Sequence, residues 1–114
     1  MNSTQTRISE YRIMWILVFF DLPTQTKKDK KAYQTFRDRL KRDGFTMFQF
    51  SIYIRHCASR ENMNVHINRI NSYLPEKGKV GVLNITDKQF SEMQVFYGKN
   101  AEQTRPAPVQ LELF

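Results

Sequence analysis

Asp21 is the carboxylate whose position in this 114-residue chain best suits chemistry. It follows the unbroken apolar run Ile13–Phe20 and precedes Leu22-Pro23, where a proline without an N–H ends a strand. An aspartate at the exit of a buried strand is held rigidly and still reaches water, which suits a ligand of Mg²⁺ or Mn²⁺. In phosphodiester cleavage such an ion would neutralise developing charge and activate water.

The difficulty with this metal site is that it has one carboxylate. Asp29 and Asp38 belong to a later helix and Asp87 follows a later strand, so none accompanies it along the sequence. A homodimer that brings two copies of Asp21 together would supply the second ligand. The alternative is an aspartate that only begins a turn through its own side-chain hydrogen bond.

The histidine and cysteine residues favour no second chemical site. His56 and Cys57 are adjacent, so on a strand their side chains point to opposite faces, and their spacing to His66 matches no zinc pattern. A Cys–His nucleophilic pair would lack a third group to orient it. The four glycines are scattered and form no phosphate-binding loop.

The polar start of the chain and its single cysteine indicate a cytoplasmic protein. Residues Met1–Arg7 lack the charged-then-apolar layout of a signal peptide, and no apolar run approaches the ~20 residues of a membrane span. One cysteine permits no internal disulfide, which fits a reducing compartment. We therefore expect no membrane partner.

A net charge of +7 and a pI near 9.8 favour a polyanionic partner. Many of the basic residues lie just after Asp21, in a predicted helix over Lys27–Arg42. Lysines in the first turn oppose the helix dipole, which suggests a use other than stability. The expected contacts to nucleic-acid phosphates are Lys27, Lys28, Lys31 and Arg37. A solvated helix face is the alternative.

The periodicity predicts alternating strands and helices along the chain. Thr26 and Asp29 resemble a capping box before the first helix, Ser59 can cap the second, and Gly44 suits the end of the first. The predicted elements are a strand ending at Asp21, a helix over Lys27–Arg42, a β region over Phe45–Cys57 broken near Gln49–Ser51, a helix over Arg60–Leu74, a strand over Lys79–Ile85, one helical turn near Thr86–Phe90 and a short strand over Met93–Tyr97. This order predicts an α+β, ferredoxin-like β-α-β-β-α-β fold with extra C-terminal strands.

Alternation in Phe45–Cys57 predicts one apolar face, under the helices, and one mixed face. Phe48, Phe50, Ile52 and Ile54 form the apolar set, for which core packing is favoured over base stacking by Phe48 and Phe50. The mixed set comprises Met47, Gln49, Ser51 and Tyr53. Gln49 and Ser51 are either ordinary cross-strand hydrogen bonders or second-layer partners near Asp21.

The composition divides the chain into a domain over residues 1–98, a polar linker over residues 99–108 and a terminal strand over residues 109–114. In the last segment the apolar residues Val109, Leu111 and Leu113 alternate with polar ones. Such a strand after a linker is suited to adding itself to a sheet edge, in its own chain or a partner.

Five motifs cover almost all of Ile13–Phe90 in a characteristic order and spacing. They are Phe19-Phe20-Asp21-Leu22-Pro23, Ala32-Tyr33-x-x-Phe36-Arg37, Gly44-Phe45-x-Met47-x-Gln49-x-Ser51-x-Tyr53, Leu74-Pro75-x-x-Gly78-x-Val80 and Ile85-Thr86-Asp87-Lys88-Gln89-Phe90. Together they resemble CRISPR-associated protein 2, the small subunit of the spacer-acquisition machinery, in the form that accompanies Cas9-type systems.

The resemblance implies a ferredoxin-like homodimer in which the two Asp21 residues face each other. It also implies an integrase partner, CRISPR-associated protein 1, which the dimer would bridge while holding duplex DNA by its backbone. Some similar proteins are metal-dependent nucleases at this aspartate, which implies one Mg²⁺ per dimer. Others use the fold as a scaffold. Some members of the family carry an arginine just before the glutamine of the second β region, where this chain has Met47 and Phe48. That departure favours the scaffold interpretation.

Three functional hypotheses follow. The first is a DNA-binding adaptor in spacer acquisition, and the second is a Mg²⁺-dependent endonuclease that uses Asp21 from both protomers. The third is an unrelated ferredoxin-like RNA-binding or regulatory domain. One carboxylate per site and a basic helix favour the adaptor.

Overall fold

Strand β1, Met14–Asp21, is an interior strand of a four-stranded antiparallel sheet in the computed structural model, which describes residues 13–99. The other elements are α1 (Lys27–Arg42), β2 (Thr46–Gln49), β3 (Ile52–Cys57), α2 (Arg60–Ser72), β4 (Lys79–Thr86) and α3 (Asp87–Ser91). The strand order is β2-β3-β1-β4. This confirms the predicted α+β, ferredoxin-like arrangement.

β1 separates two hydrophobic clusters, which explains why its sequence is apolar without interruption. Ile16, Val18 and Phe20 join the larger cluster, which lies under α1 and α2. Trp15 and Leu17 point to the opposite face, where Trp15 stacks on Phe90 of α3 with ring centroids 3.9 Å apart. We call this second side the helix-free face, since α1 and α2 lie on the other side. Within residues 13–99, the five-residue α3 and Met93 after it cover part of this face.

Helix α1 begins and ends as its sequence predicts. The hydroxyl of Thr26 accepts a hydrogen bond from the Asp29 N–H, and the Asp29 carboxylate accepts one from the Thr26 N–H. That second bond lowers the pKa of the Asp29 carboxyl. Asp43 follows α1, and Gly44 takes φ +88°, which ends the helix in the left-handed region. Helix α2 also begins where the sequence predicts, since the Ser59 hydroxyl accepts a hydrogen bond from the Asn62 N–H.

The predicted break in the second β region is confirmed, but the assignment of its faces is wrong. β2 and β3 are separated by Phe50 and Ser51, and Ser51 has a φ of +65°. In the β1–β3 register Tyr53 pairs with Val18, so Tyr53 joins the cluster under the helices. Ile54 lies on the helix-free face instead. The turn also removes Phe50 from the sheet, leaving 78% of it exposed.

The predicted short strand over Met93–Tyr97 is also wrong. α3 has five residues, as has the helical turn expected near Thr86–Phe90, and after it Met93 packs against the cluster on the helix-free face. Within residues 13–99, the segment 93–98 therefore pairs with no strand, and a strand without a neighbour has no ladder hydrogen bonds. The expected terminal strand with Val109, Leu111 and Leu113 lies outside the described residues, as does most of the expected linker.

None of the helices between residues 13 and 99 is long and apolar enough to cross a membrane.

Candidate nucleic-acid interface at the end of β1

Asp21 is the last residue of β1 and its side chain is exposed. Because side chains alternate along a strand, Asp21 shares the helix-free face with Leu17 and Phe19. Its carboxylate makes no hydrogen bond or ion pair with any other residue in the described range. Asp21 is therefore a solvent-accessible acceptor on a rigid strand end.

Lys79 lies directly opposite Asp21 in the β1–β4 register. Residues opposite each other in an antiparallel pair project to the same face with Cβ atoms about 5 Å apart. Lys79 is exposed, so the strand end presents one anion and one cation side by side. Sequence reasoning missed this residue, because only the β1–β4 register places the start of β4 beside the end of β1.

Gly78 fixes the backbone around Asp21. Its φ is +94°, and a Cβ at this position would lie 2.6 Å from Leu22 Cδ2 and 2.7 Å from the Asp21 carbonyl oxygen. Only glycine accepts both the left-handed backbone and this close approach. The turn after α2 thereby holds the exit of β1 from one side.

Ser51 holds the strand end from the other side. The Phe20 N–H donates to the Ser51 carbonyl oxygen at 3.0 Å, and the hydroxyls of Ser51 and Tyr33 are hydrogen-bonded at 3.0 Å. Ser51 thus contacts the residue before Asp21 through the backbone, and its hydroxyl bonds to α1 rather than to the carboxylate. Gln49 is exposed at the end of β2 and pairs with Ile52. The second-layer roles expected of Gln49 and Ser51 stay predictions.

The site offers a divalent cation one carboxylate per chain. Across residues 13–99, no group of three or more His, Cys, Asp or Glu side chains could hold a metal ion. Mg²⁺ often takes only one or two protein carboxylates and completes its shell with water and phosphate oxygens. A single Asp21 fits Mg²⁺ at the lower limit of that number, and a second copy of the chain that added its own Asp21 would make a two-carboxylate site.

Three of the four predicted phosphate contacts are exposed near this end of the sheet. Lys27 and Lys28 form the first turn of α1, and Lys31 follows one turn later. Lys28 and Lys31 also line a groove of about 380 Å³ that runs past Leu22 towards Lys77. Arg37 differs, because it is half-buried and its Nη2 donates to Gln34 Oε1 at 2.6 Å. The lysines are therefore more available to a polyanion than Arg37.

The histidine and cysteine residues are held in packing and hydrogen bonds away from Asp21. Asp43, just after α1, accepts hydrogen bonds from His66 at 3.0 Å and from Arg69 at 2.7 Å, which joins the end of α1 to the second half of α2. Cys57 is fully buried under these helices, and burial raises the pKa of its thiol. His56 packs edge-on against Trp15.

Comparison with known proteins identifies the family. Residues 14–93 match the family described as CRISPR associated protein Cas2. The chain belongs to this family. The resemblance expected from the five sequence motifs is thereby confirmed, and the Cas2 match spans every element from β1 to α3.

Several curated Cas2 proteins are similar over almost their whole length. The Flavobacterium psychrophilum protein is 61% identical over 109 residues, which cover 96% of this chain and 95% of the relative. The Parvibaculum lavamentivorans protein is 50% identical over 101 residues, covering 89% of this chain and all of the relative. The Paracidovorax avenae protein is 39% identical over 107 residues, covering 94% and 99% respectively. Each is named CRISPR-associated endoribonuclease Cas2.

Proposed function

We propose that this Cas2-family chain is a homodimeric, DNA-binding adaptor of CRISPR spacer acquisition that bridges its integrase partner, CRISPR-associated protein 1. The observation that carries the proposal is the composition of the surface around the end of β1. It presents the exposed lysines Lys27, Lys28, Lys31 and Lys79, whereas Asp21 is the carboxylate at the strand end itself and Asp29 and Glu76 line the groove beside it. No group of three or more His, Cys, Asp or Glu side chains within residues 13–99 could hold a metal ion. Such a surface suits holding a phosphate backbone better than cutting it.

The proposed dimer forms through the helix-free face. Phe19 lies on this face two residues before Asp21, and Leu83 lies on it opposite Leu17 in the β1–β4 register. Their side chains are 37% and 48% exposed. Apolar side chains that stay exposed on one face of a sheet in a single chain are typical of a protein–protein contact. A two-fold contact through this face brings the same residues of both copies together, which places the two Asp21 carboxylates near one another.

The proposed DNA contacts are electrostatic and independent of sequence. Lys27, Lys28 and Lys31 stand at the N-terminal end of α1, close in the chain to the exit of β1, and the net charge is +7. Lysines that neutralise phosphates release counterions, so affinity for a duplex should fall steeply with salt. A dimer doubles this surface, which suits a ligand longer than one protomer.

A second candidate function is a Mg²⁺-dependent endonuclease formed by two Asp21 carboxylates. The observation that favours it is the exposed Asp21 carboxylate at the end of β1, which has no partner among residues 13–99. Bound Mg²⁺ would neutralise charge on the scissile phosphate. This chain's own residues would hold the ion and orient the backbone, with Lys79 beside the phosphate. The name endoribonuclease of the relatives makes RNA the substrate to test first.

The test of the adaptor compares two triple variants with equal loss of charge. Lys27, Lys28 and Lys31 are changed to Gln in one, and the exposed Lys41, Lys88 and Lys99 in the control. We expect the first variant to weaken duplex binding and to reduce the slope of log K against log salt by about 2 to 3. The control should change the slope by less than about 1. Equal effects would reject the proposed surface.

Asp21→Asn separates the two candidate functions. Integration of a spacer with the integrase partner should stay close to wild type, because the adaptor needs no carboxylate chemistry. Any cleavage of RNA or DNA that requires Mg²⁺ should be lost. If integration collapses while the dimer persists, the adaptor proposal is wrong about where function lies. Cleavage that survives the substitution would come from another nuclease in the preparation.

A further inference from the structure

Phe50 occupies an unusual position for a phenylalanine in a sheet protein. It lies in the turn between β2 and β3, and 78% of it is exposed. Full burial of such a side chain stabilises a folded protein by about 1.5–3 kcal/mol. Phe50 gains little of this free energy, because most of its surface stays in contact with water. Core packing, which the alternation of the sequence predicts for Phe50, does not occur.

The turn holds this ring outward in a defined conformation. Ser51 adopts a φ of +65°, which is uncommon for a residue with a side chain. Two contacts stabilise it: the Ser51 carbonyl oxygen accepts from the Phe20 N–H, and the Ser51 hydroxyl bonds to the Tyr33 hydroxyl, both at 3.0 Å. A ring held in place before binding loses less conformational entropy when it meets a ligand.

One face of the Phe50 ring is already occupied. Tyr33 of α1 stacks against it, with centroids 6.0 Å apart and planes 25° from parallel, and Tyr33 in turn contacts Phe20 at 5.6 Å. The exposed fraction of Phe50 leaves the opposite ring face open to solvent. The Phe20–Ser51 hydrogen bond places the turn at the same end of the sheet as Asp21. An open aromatic face thus stands beside the proposed phosphate-binding surface.

Charge favours a nucleotide over an apolar protein segment as the occupant. Lys30 precedes Tyr33 by one helical turn and is exposed, so a cation flanks the stacked rings. An aromatic face beside cations binds the base and the phosphate of one nucleotide together. Bases inside a duplex are stacked on each other, so the base must be unpaired.

We propose that the open face of Phe50 stacks on a single unpaired nucleobase, at an end or break of the nucleic acid held next to Asp21. The inference rests on the proposed function, since it needs nucleic acid at this end of the sheet. It adds the recognition of one unpaired base by Phe50 to a surface that otherwise contacts only phosphates.

The test measures binding of two DNA probes by the full-length protein. One is a duplex with single-stranded extensions that carry 2-aminopurine, and the other is the same duplex closed by covalent loops. We expect Phe50→Ala to weaken binding of the extended probe by about 5- to 150-fold, the range for loss of one base–aromatic stack. Binding of the closed probe should change less than about twofold. Wild type should quench the fluorescence of 2-aminopurine when it binds the extended probe, and Phe50→Ala should not.

Two matched variants complete the experiment. Phe50→Trp should retain the preference for the extended probe, because any large aromatic ring can stack. Phe96→Ala removes an equally exposed phenylalanine, 84%, and should leave both probes unaffected. Unchanged affinity of Phe50→Ala for the extended probe overturns the inference. The inference is also overturned if Phe50→Ala lowers the mass of the dimer but keeps the quenching of 2-aminopurine, since the Phe50 ring would then contact the second protomer rather than a base.

The two proposals fail in different ways. If the α1 lysine variant binds both probes normally while Phe50→Ala loses the extended probe, the phosphate surface is wrong and base stacking stands. If the lysine variant weakens both probes equally and Phe50→Ala weakens neither, only the base-stacking inference falls.

Discussion

At the scale of single residues, Tyr73 shows how an aromatic side chain can serve packing without using its hydroxyl. Its ring contacts Phe36 at 5.8 Å, and the Arg39 guanidinium lies 5.6 Å from the ring centroid. The hydroxyl is buried without a hydrogen-bond partner among the described residues. Burial raises the pKa of Tyr73 to about 12, chiefly through desolvation, with the charge of Asp43 adding to it.

Tyr73→Phe should therefore preserve stability at pH 7 or raise it by up to about 1 kcal/mol, since it removes an unsatisfied buried group. Wild type should lose stability as pH rises above 10 towards 12, because the unfolded tyrosine ionises first and the folded one resists ionisation. The variant should lose less over that interval. Urea denaturation at pH 7 and pH 11 measures both effects.

The reference for this prediction is the wild-type protein, measured in parallel at each pH. Tyr53, whose pKa burial also raises, remains in every variant and accounts for a residual loss. Identical alkaline profiles for wild type and Tyr73→Phe would contradict the assignment.

At the scale of elements, local chemistry predicted the helices well and the sheet less well. Thr26, Ser59 and Gly44 mark helix ends by hydrogen bonds and backbone angles that depend on neighbours a few residues away. The predicted strand over Met93–Tyr97 was wrong because a strand must also pair with a free sheet edge, and the alternation of apolar and polar residues does not show whether such an edge lies beside it. The predicted burial of Phe50 was wrong because Ser51 adopts a left-handed conformation, and no glycine or asparagine in the sequence indicates a turn there.

Gly78 links two elements, the turn after α2 and the end of β1. Gly78→Ala should lower the free energy of unfolding by about 1–3 kcal/mol, because it strains a positive φ and pushes a Cβ against the Asp21 carbonyl oxygen. The measurement is the urea midpoint at pH 7. The matched control is Gly98→Ala, where an added Cβ meets nothing within 4 Å. A destabilisation equal to that of the control would show that the turn relaxes freely.

Lys79 illustrates what a sequence alone leaves undetermined about the candidate site. Asp21 is recognisable from its own neighbours, since a buried run simply stops there. Lys79 becomes its neighbour only through the β1–β4 register, which depends on how two distant strands align. The same register decides that Leu83, rather than Val82, shares the face of Leu17. Fold and family were predictable, whereas the composition of each face was not.

At the scale of the whole molecule, the two sheet faces are covered unequally. α1 and α2 close one face over a cluster that includes Phe36 and Leu40. In the described part of the chain, the helix-free face is covered by α3 and Met93, and Phe19 and Leu83 remain partly exposed beyond them. A domain of this size has little spare stability, so an apolar face left open is better explained by a second copy than by chance.

Leu83→Glu tests the proposed dimer contact directly. A charge placed in a buried two-fold contact appears twice and has no partner, so dimerisation should weaken at least about tenfold. Leu74→Glu is the matched control, because Leu74 is 47% exposed against 48% for Leu83 but lies beyond α2, beside the groove. Light scattering across micromolar concentrations should show monomer for the first and dimer for the second. Were Leu83→Glu to keep the dimer mass, the two copies of Asp21 would have to meet through another surface, or not at all.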